Sequence, residues 1–143
     1  MAIEKVIYTA HATITGGRIG TAKTDDGQLN LILDRPKEMV GKAEGTNPEQ
    51  LFAAGYGACF LSALKIVAGK QHIRVPEDAS IDSDVSIGPL AGGKEGFGIA
   101  VAMRVHLPGL DRIAAEALVE AAHQVCPYSN ATRGNIDVAL SVV

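Results

Sequence analysis

Residues 46–70, TNPEQLFAAGYGACFLSALKIVAGK, leave few options for how this chain folds. Asn47 can accept a hydrogen bond from a first-turn amide, and Pro48 suits the first helical position, where its missing N–H is not needed. Gln50, three residues after Asn47, completes a capping-box spacing. Beyond Gln50 and before Gly69 only Ser62 and Lys65 are clearly polar. A helix apolar on nearly every side is either buried in a core or crosses a membrane. The run has about the length a span needs, roughly 20 residues. Lys65 near its middle, the lack of a basic flank or aromatic belt, and the many small residues (Ala53, Ala54, Gly55, Gly57, Ala58) argue for the core. The expectation is a buried central helix with Cys59 in its middle.

A chain of 143 residues is read as a single domain, 1–143, long enough to remove roughly two-thirds of its unfolded surface from water. Thirteen basic against sixteen acidic residues give a net charge of −3, with the basic ones scattered and aromatics few, so no nucleic-acid footprint is visible. Glu4 and Lys5 interrupt any apolar start, which predicts no signal peptide. Two cysteines without an export signal suggest thiols that rest reduced, with any disulfide catalytic or transient. The reading is a cytoplasmic protein.

Around the helix the pattern is mostly strand. Residues 3–14 alternate, placing Val6, Tyr8, Ala10, Ala12 and Ile14 on one face. Gly16-Gly17 makes a hairpin turn. Arg18 is expected to open the second strand, and Leu29 to Leu33 forms a third. Asp34 to Gly45 reads as a loop whose Arg35, Lys37 and Lys42 form a solvated face. After the helix, residues 80–90 and 97–107 alternate as a second hairpin. Asp111 caps a helix with Ile113, Ala114, Ala117, Leu118 and Ala121 on its apolar side, ending near Gln124. Residues 134–143 form a closing strand. The order βββ-α-ββ-α-β, with strands grouped in hairpins, predicts an α+β fold with mainly antiparallel sheet.

Few chemistries fit. Cys59 and Cys126 lie 67 positions apart, outside any CxxC spacing, and the four histidines (His11, His72, His106, His123) fall on different elements. A zinc site needs about four converging nitrogen or sulfur ligands, so no metal is expected, and no cofactor either. His123 reads as a residue that favours the dipole at a helix C-terminus. A glycine-rich phosphate loop and a G-x-S-x-G serine elbow are both missing. Thiol chemistry remains, set against the plain possibility that Cys59 is a small buried hydrophobe. Activating a thiol takes a nearby cation or helix N-terminus, and Lys65, six residues on, faces elsewhere. Read alone, Arg18 is a solvated strand end and Glu49 a first-turn carboxylate favoured by the dipole. Phe52, Tyr56, Phe60 and Tyr128 read as core.

Two longer motifs carry more. Asn47-Pro48-Glu49-Gln50-Leu51-Phe52-Ala53-Ala54-Gly55-Tyr56, followed by Ala58-Cys59-Phe60, closely resembles the first signature of the organic hydroperoxide resistance (Ohr) family within the Ohr/OsmC superfamily. His123-Gln124-Val125-Cys126-Pro127-Tyr128-Ser129-Asn130-Ala131-Thr132-Arg133-Gly134-Asn135 resembles the second. The resemblance runs from end to end and matches the element order, and the Cys-Pro-Tyr-Ser segment favours Ohr over its OsmC cousins. Gly57 departs from the alanine or serine expected there, at a cost of up to about 1 kcal/mol relative to alanine.

The resemblance implies an intertwined homodimer with sites at the subunit interface, acting as a cysteine-based peroxidase that reduces organic hydroperoxides to alcohols. It makes Cys59 the peroxidatic thiol and Cys126 the resolving one, Arg18 the catalytic arginine and Glu49 the carboxylate that holds it. It implies a lipoylated protein or dihydrolipoamide as reductant, for which Arg35, Lys37 and Lys42 offer an alternative use as a face for an acidic lipoyl-domain partner. Glu49 and Cys59 are ten residues apart, about 15 Å along a straight helix. The arginine must therefore bridge them, the helix must break near Gly55 or Gly57, or the groups must come from different subunits. Two other readings stay open: a non-enzymatic thiol redox sensor, and an OsmC-type peroxidase of broader specificity.

Overall fold

The computed structural model describes all residues, 1–143, as two compact units, Met1–Leu51 and Phe52–Val143. In the first unit β1 (Ala12–Thr15), β2 (Gly20–Thr24) and β3 (Asn30–Leu33) form an antiparallel meander in the order β1-β2-β3. Its first turn is four residues long, Gly16 to Ile19, closed by the Ile19 amide on the Gly16 carbonyl. Gly16 and Gly17 both take positive φ, and a Cβ on Gly16 would lie 2.1 Å from the Ile19 carbonyl oxygen, so glycine is required there.

Two expectations are corrected here. The first strand begins at Ala12 rather than residue 3, and residues 1–11 have no regular partner. A strand needs a neighbour to take its N–H and C=O groups, and this chain supplies none for residues 3–10. Their apolar side chains stand in solvent, Ile7 at 96% exposure. Arg18 lies in the turn, not at the start of β2.

The α1 helix (Pro48–Lys70) opens as its cap predicts. The Gln50 amide donates to Asn47 Oδ1 (2.9 Å) and the Asn47 amide to Gln50 Oε1 (3.0 Å). It runs unbroken for 23 residues, which removes a helix break at Gly55 or Gly57.

In the second unit β4 (Ser80–Pro89) and β5 (Phe97–His106) form a long antiparallel hairpin, and β6 (Val138–Val142) pairs parallel to β5. The α2 helix (Arg112–Val125) is capped by Asp111, which accepts from the Ala114 amide. A short helix, α3 (Pro127–Thr132), follows directly. One apolar cluster joins Tyr56, Phe60, Leu64 and Val67 of α1 to Val101, Met103 and Val105 of β5 and to Ala115, Leu118, Val119 and Ala122 of α2. The buried stripe of α2 is thus turned from the expected one, leaving Ile113 78% exposed. The two stripes share Leu118, and the observed one continues through Ala115, Val119 and Ala122 in place of Ile113, Ala114 and Ala117.

Burial of α1 is one-sided. Tyr56, Phe60, Ala63, Leu64, Val67 and Ala68 are buried, whereas Ala54, Ala58, Ser62, Lys65 and Ile66 are exposed. By length and apolar composition α1 also meets the requirements of a membrane span.

Candidate active site

The α1 helix presents Cys59 one turn after Tyr56. Cys126 sits at the junction of α2 and α3, where its amide donates to the Ala122 carbonyl (2.9 Å) and its carbonyl accepts from the Asn130 amide (2.9 Å). Both main-chain groups are engaged, so mainly the side chain is free to move. Cys126 is buried, Cys59 only partly, and the Cys126 thiol points at the Cys59 sulfur across 3.6 Å. Both cysteines are free thiols.

Burial pushes the Cys59 thiol above its ordinary pKa of 9.0. The Tyr128 backbone amide pulls it down, and the Cys126 thiol adds to the upward push. The net direction is up: as it stands, Cys59 holds its proton.

Three aromatic rings of α1 and α3 pack against one another. Phe52 and Tyr56 meet edge to face at 6.0 Å, and Tyr128 lies 6.0 Å from Phe52 and 5.7 Å from Tyr56 between ring centroids. Gly55 leaves room for the Tyr128 ring, since a Cβ there would come within 3.2 Å of its hydroxyl.

The Tyr56 hydroxyl is buried but not idle. It is hydrogen-bonded to Ser129 Oγ (2.9 Å) and to Thr132 Oγ1 (3.1 Å), and Ser129 Oγ also meets His123 Nδ1 at 2.8 Å. The Thr132 hydroxyl donates to the Tyr128 carbonyl (2.9 Å). Arg133 donates to the His123 carbonyl and to Asn130 Oδ1. His123 does lie in the last turn of α2, but burial, with Arg133 nearby, lowers its pKa, so it favours the neutral form and is not the dipole-stabilising cation expected.

In the first unit, Arg18 donates from Nη1 to Glu49 Oε2 (2.8 Å) and from Nη2 to Glu49 Oε1 (2.7 Å). This is the two-pronged geometry in which a guanidinium fixes a carboxylate. The Arg18 hydrogen bonds hold the Glu49 carboxyl below its usual range, and Glu49 in turn raises the Arg18 pKa. Glu49 belongs to the first turn of α1, where a negative charge is favoured. Both groups are partly solvated, so the pair contributes no more than about 1 kcal/mol to stability. Its larger consequence is a guanidinium held in one orientation.

Of the four residues singled out in the sequence, the structure pairs Arg18 with Glu49 and Cys59 with Cys126. The hydroxyls of Tyr56, Ser129 and Thr132 were missed. A signal for them existed: Ser129 and Thr132 are polar residues three apart, just after a buried cysteine. No group of three or more His, Cys, Asp or Glu side chains converges as a metal site would require.

Residues 41–141 match the family model of OsmC-like proteins. An organic hydroperoxide resistance protein of Xanthomonas axonopodis pv. citri is 56% identical over 97% of this chain and 96% of its own length. The crystal structure of an organic hydroperoxide resistance protein from Legionella pneumophila superposes with a TM-score of 0.90 at 52% identity, covering 96% of this chain and 98% of that one. That of OhrB from Bacillus subtilis gives 0.88 at 46% identity, covering 96% and 100%. Sheet, helix and thiol pair thus define an OsmC-like protein. Within that class the chain belongs to the organic hydroperoxide resistance family.

Proposed function

We propose that this chain detoxifies organic hydroperoxides as a cysteine-based peroxidase, with Cys59 as the attacking thiolate and Cys126 as the resolving thiol. The observation that carries the reading is the 3.6 Å contact between the two sulfurs, in a chain whose relatives are named for organic hydroperoxide resistance. The Cys59 thiolate attacks the O–O bond of ROOH. Its sulfur becomes a sulfenic acid, and the leaving alkoxide takes a proton to become ROH. Cys126 then displaces water from the sulfenic acid, and the disulfide forms as the sulfurs close from 3.6 Å to about 2.05 Å. This guards Cys59 against irreversible oxidation to the sulfinic and sulfonic acids.

The thiolate needs a cation, because burial favours the thiol. Arg18 is the proposed one. It is permanently charged and can hold the peroxide oxygens while Glu49 keeps its plane fixed. Phe52 and Tyr128 offer the apolar wall that favours an alkyl peroxide over hydrogen peroxide.

A dithiol restores the pair by exchange, for which a lipoylated protein or dihydrolipoamide is the proposed donor. The chain is taken to act as one Ohr-type domain in an intertwined homodimer in the cytoplasm. The exposed apolar side of α1 and the partnerless alternating segment 3–10 support a second copy as the missing neighbour.

The test is consumption of cumene hydroperoxide and of hydrogen peroxide by purified protein, with dihydrolipoamide or dithiothreitol, in wild type and Cys59→Ser. Fast organic-peroxide turnover, reduced at least about a thousandfold in the variant, is expected. If wild type and variant are equally inert, Cys59 is a structural or sensor thiol and the reading fails.

A further inference from the structure

The two sulfurs meet because two elements, α1 and the α2–α3 junction, are held in register. The junction is internally closed. The Cys126 amide and carbonyl are both hydrogen-bonded, the Arg133 amide donates to the Ser129 carbonyl (2.8 Å), and the Arg133 guanidinium donates back to the His123 carbonyl. The segment 122–133 is therefore a closed piece carrying Cys126. Apart from the contacts of the Cys59 sulfur itself, side-chain hydrogen bonds tie that piece to α1 through the Tyr56 hydroxyl, which joins Ser129 and Thr132. Tyr56 precedes Cys59 by three residues, and Ser129 follows Cys126 by three. The buried tether therefore sits one helical turn from each sulfur.

We propose that Tyr56 is a positioning residue for the resolving step: through Ser129 and Thr132 its hydroxyl sets the position of Cys126 against Cys59, and with it the rate at which the disulfide closes. The inference rests on the peroxidase reading for its biological use, but it concerns the thiol pair itself. The Cys59 sulfenic acid and the Cys126 thiol combine to a disulfide and water, so the step passes the oxidising equivalent that the peroxide delivered into the disulfide. Tyr56 touches neither reacting atom. It acts by holding α3, and a misplacement of about 1 Å between reacting groups can cost as much as a hundredfold in rate.

Tyr56→Phe removes the tether and keeps the ring. One equivalent of cumene hydroperoxide is added to the reduced protein, and quenched samples are followed by mass. Expected is an unchanged rate of Cys59 sulfenic acid formation, disulfide closure slower by about tenfold, and Cys59 sulfinic acid at lower peroxide doses than in wild type. A second measurement needs no peroxide: the fraction of Cys59–Cys126 disulfide in glutathione redox buffers, where Tyr56→Phe lowers the effective concentration of the pair by a similar factor. Thr132→Val should move both readouts the same way and Thr132→Ser restore them, which a general loss of stability would not do. The Thr132 pair also serves should Tyr56→Phe fail to fold.

Disulfide closure and glutathione midpoint both equal to wild type in Tyr56→Phe, or in Thr132→Val, would overturn the proposal. If wild-type protein consumes no peroxide but the glutathione midpoint still shifts, the peroxidase reading fails while the positioning role stands.

Discussion

The two residue pairs that matter most are held by opposite physics. Arg18 and Glu49 are charged, partly solvated and joined by two short hydrogen bonds, so each stabilises the ionised form of the other. Cys59 and Cys126 are enclosed by apolar side chains and meet through one long thiol contact, and burial favours the neutral form of Cys59. The first pair has charge and needs a substrate to use it on. On the proposed reading the second supplies the nucleophile and needs charge to release it. A peroxidase built from these parts works only if the charge of the first reaches the thiol of the second.

That coupling can be broken most sharply at Arg18. Alkylation of Cys59 by iodoacetamide, followed against pH in a Cys126→Ser background, should report a lower thiol pKa in the presence of Arg18 than in Arg18→Ala. Organic-peroxide turnover should fall about a hundredfold to a thousandfold in the same variant. Arg18→Lys keeps the charge but not the fork, and is expected to recover only a small part. An equal thiol pKa in both proteins would sever the two pairs. Glu49→Gln is the milder version. It leaves the guanidinium charged but frees its plane, so turnover should drop about tenfold while the Cys59 pKa stays near that of the parent.

Legibility in the sequence follows the range of the interactions. Helix caps are local, and both Asn47 with Gln50 and Asp111 with Ala114 appear as the sequence predicts. Strand existence follows from alternation, yet the alternating residues 3–10 find no partner strand in this chain and form none. Arg18 reads as a strand end because a four-residue turn cannot be told from a two-residue one by glycines alone. The α3 helix was not anticipated, since six residues are too few to show a period and Cys126-Pro127 looks like an ending. Proline at the first helical position is equally a beginning. The parallel pairing of β6 with β5 is a tertiary choice that no local pattern announces. Motif resemblance named Cys59, Cys126, Arg18 and Glu49, but not the Tyr56–Ser129–His123 chain, of which Tyr56 and His123 read singly as core and helix end.

His123 gives a smaller test of the buried side of the comparison. Burial first, then the Arg133 charge, hold its pKa below the ordinary 6.5, with Glu120 opposing. The unfolded chain therefore takes up the proton before the folded one does. Stability from the neutral ring is fully present above pH 6.5 and is lost as pH falls through the folded pKa. Burial acts on Cys59 in the mirror sense, so its contribution is present below pH 9 and is lost as pH rises through the raised folded value. Urea midpoints between pH 5 and 7 should thus rise with pH in wild type and flatten in His123→Gln. An equal slope in both would place the acid sensitivity elsewhere.

The smallest effect separates the two glycines of α1. Glycine in a helix interior costs up to about 1 kcal/mol relative to alanine, so either substitution should gain that much from the backbone alone. At Gly57 a new Cβ meets Ser83 Cβ at 3.6 Å and Ile81 Cγ2 at 4.0 Å, ordinary contact distances, and nothing has to move. At Gly55 it meets the Tyr128 hydroxyl at 3.2 Å, and the ring has to give. Gly57→Ala should therefore raise the melting temperature by a few degrees and leave turnover alone. Gly55→Ala should gain less than Gly57→Ala or nothing, and its cost should fall on peroxide selectivity if Tyr128 forms the proposed apolar wall. Equal stabilisation by both, with unchanged preference for cumene hydroperoxide over hydrogen peroxide, would mean that the Tyr128 ring moves aside freely and that the wall is not what selects the substrate.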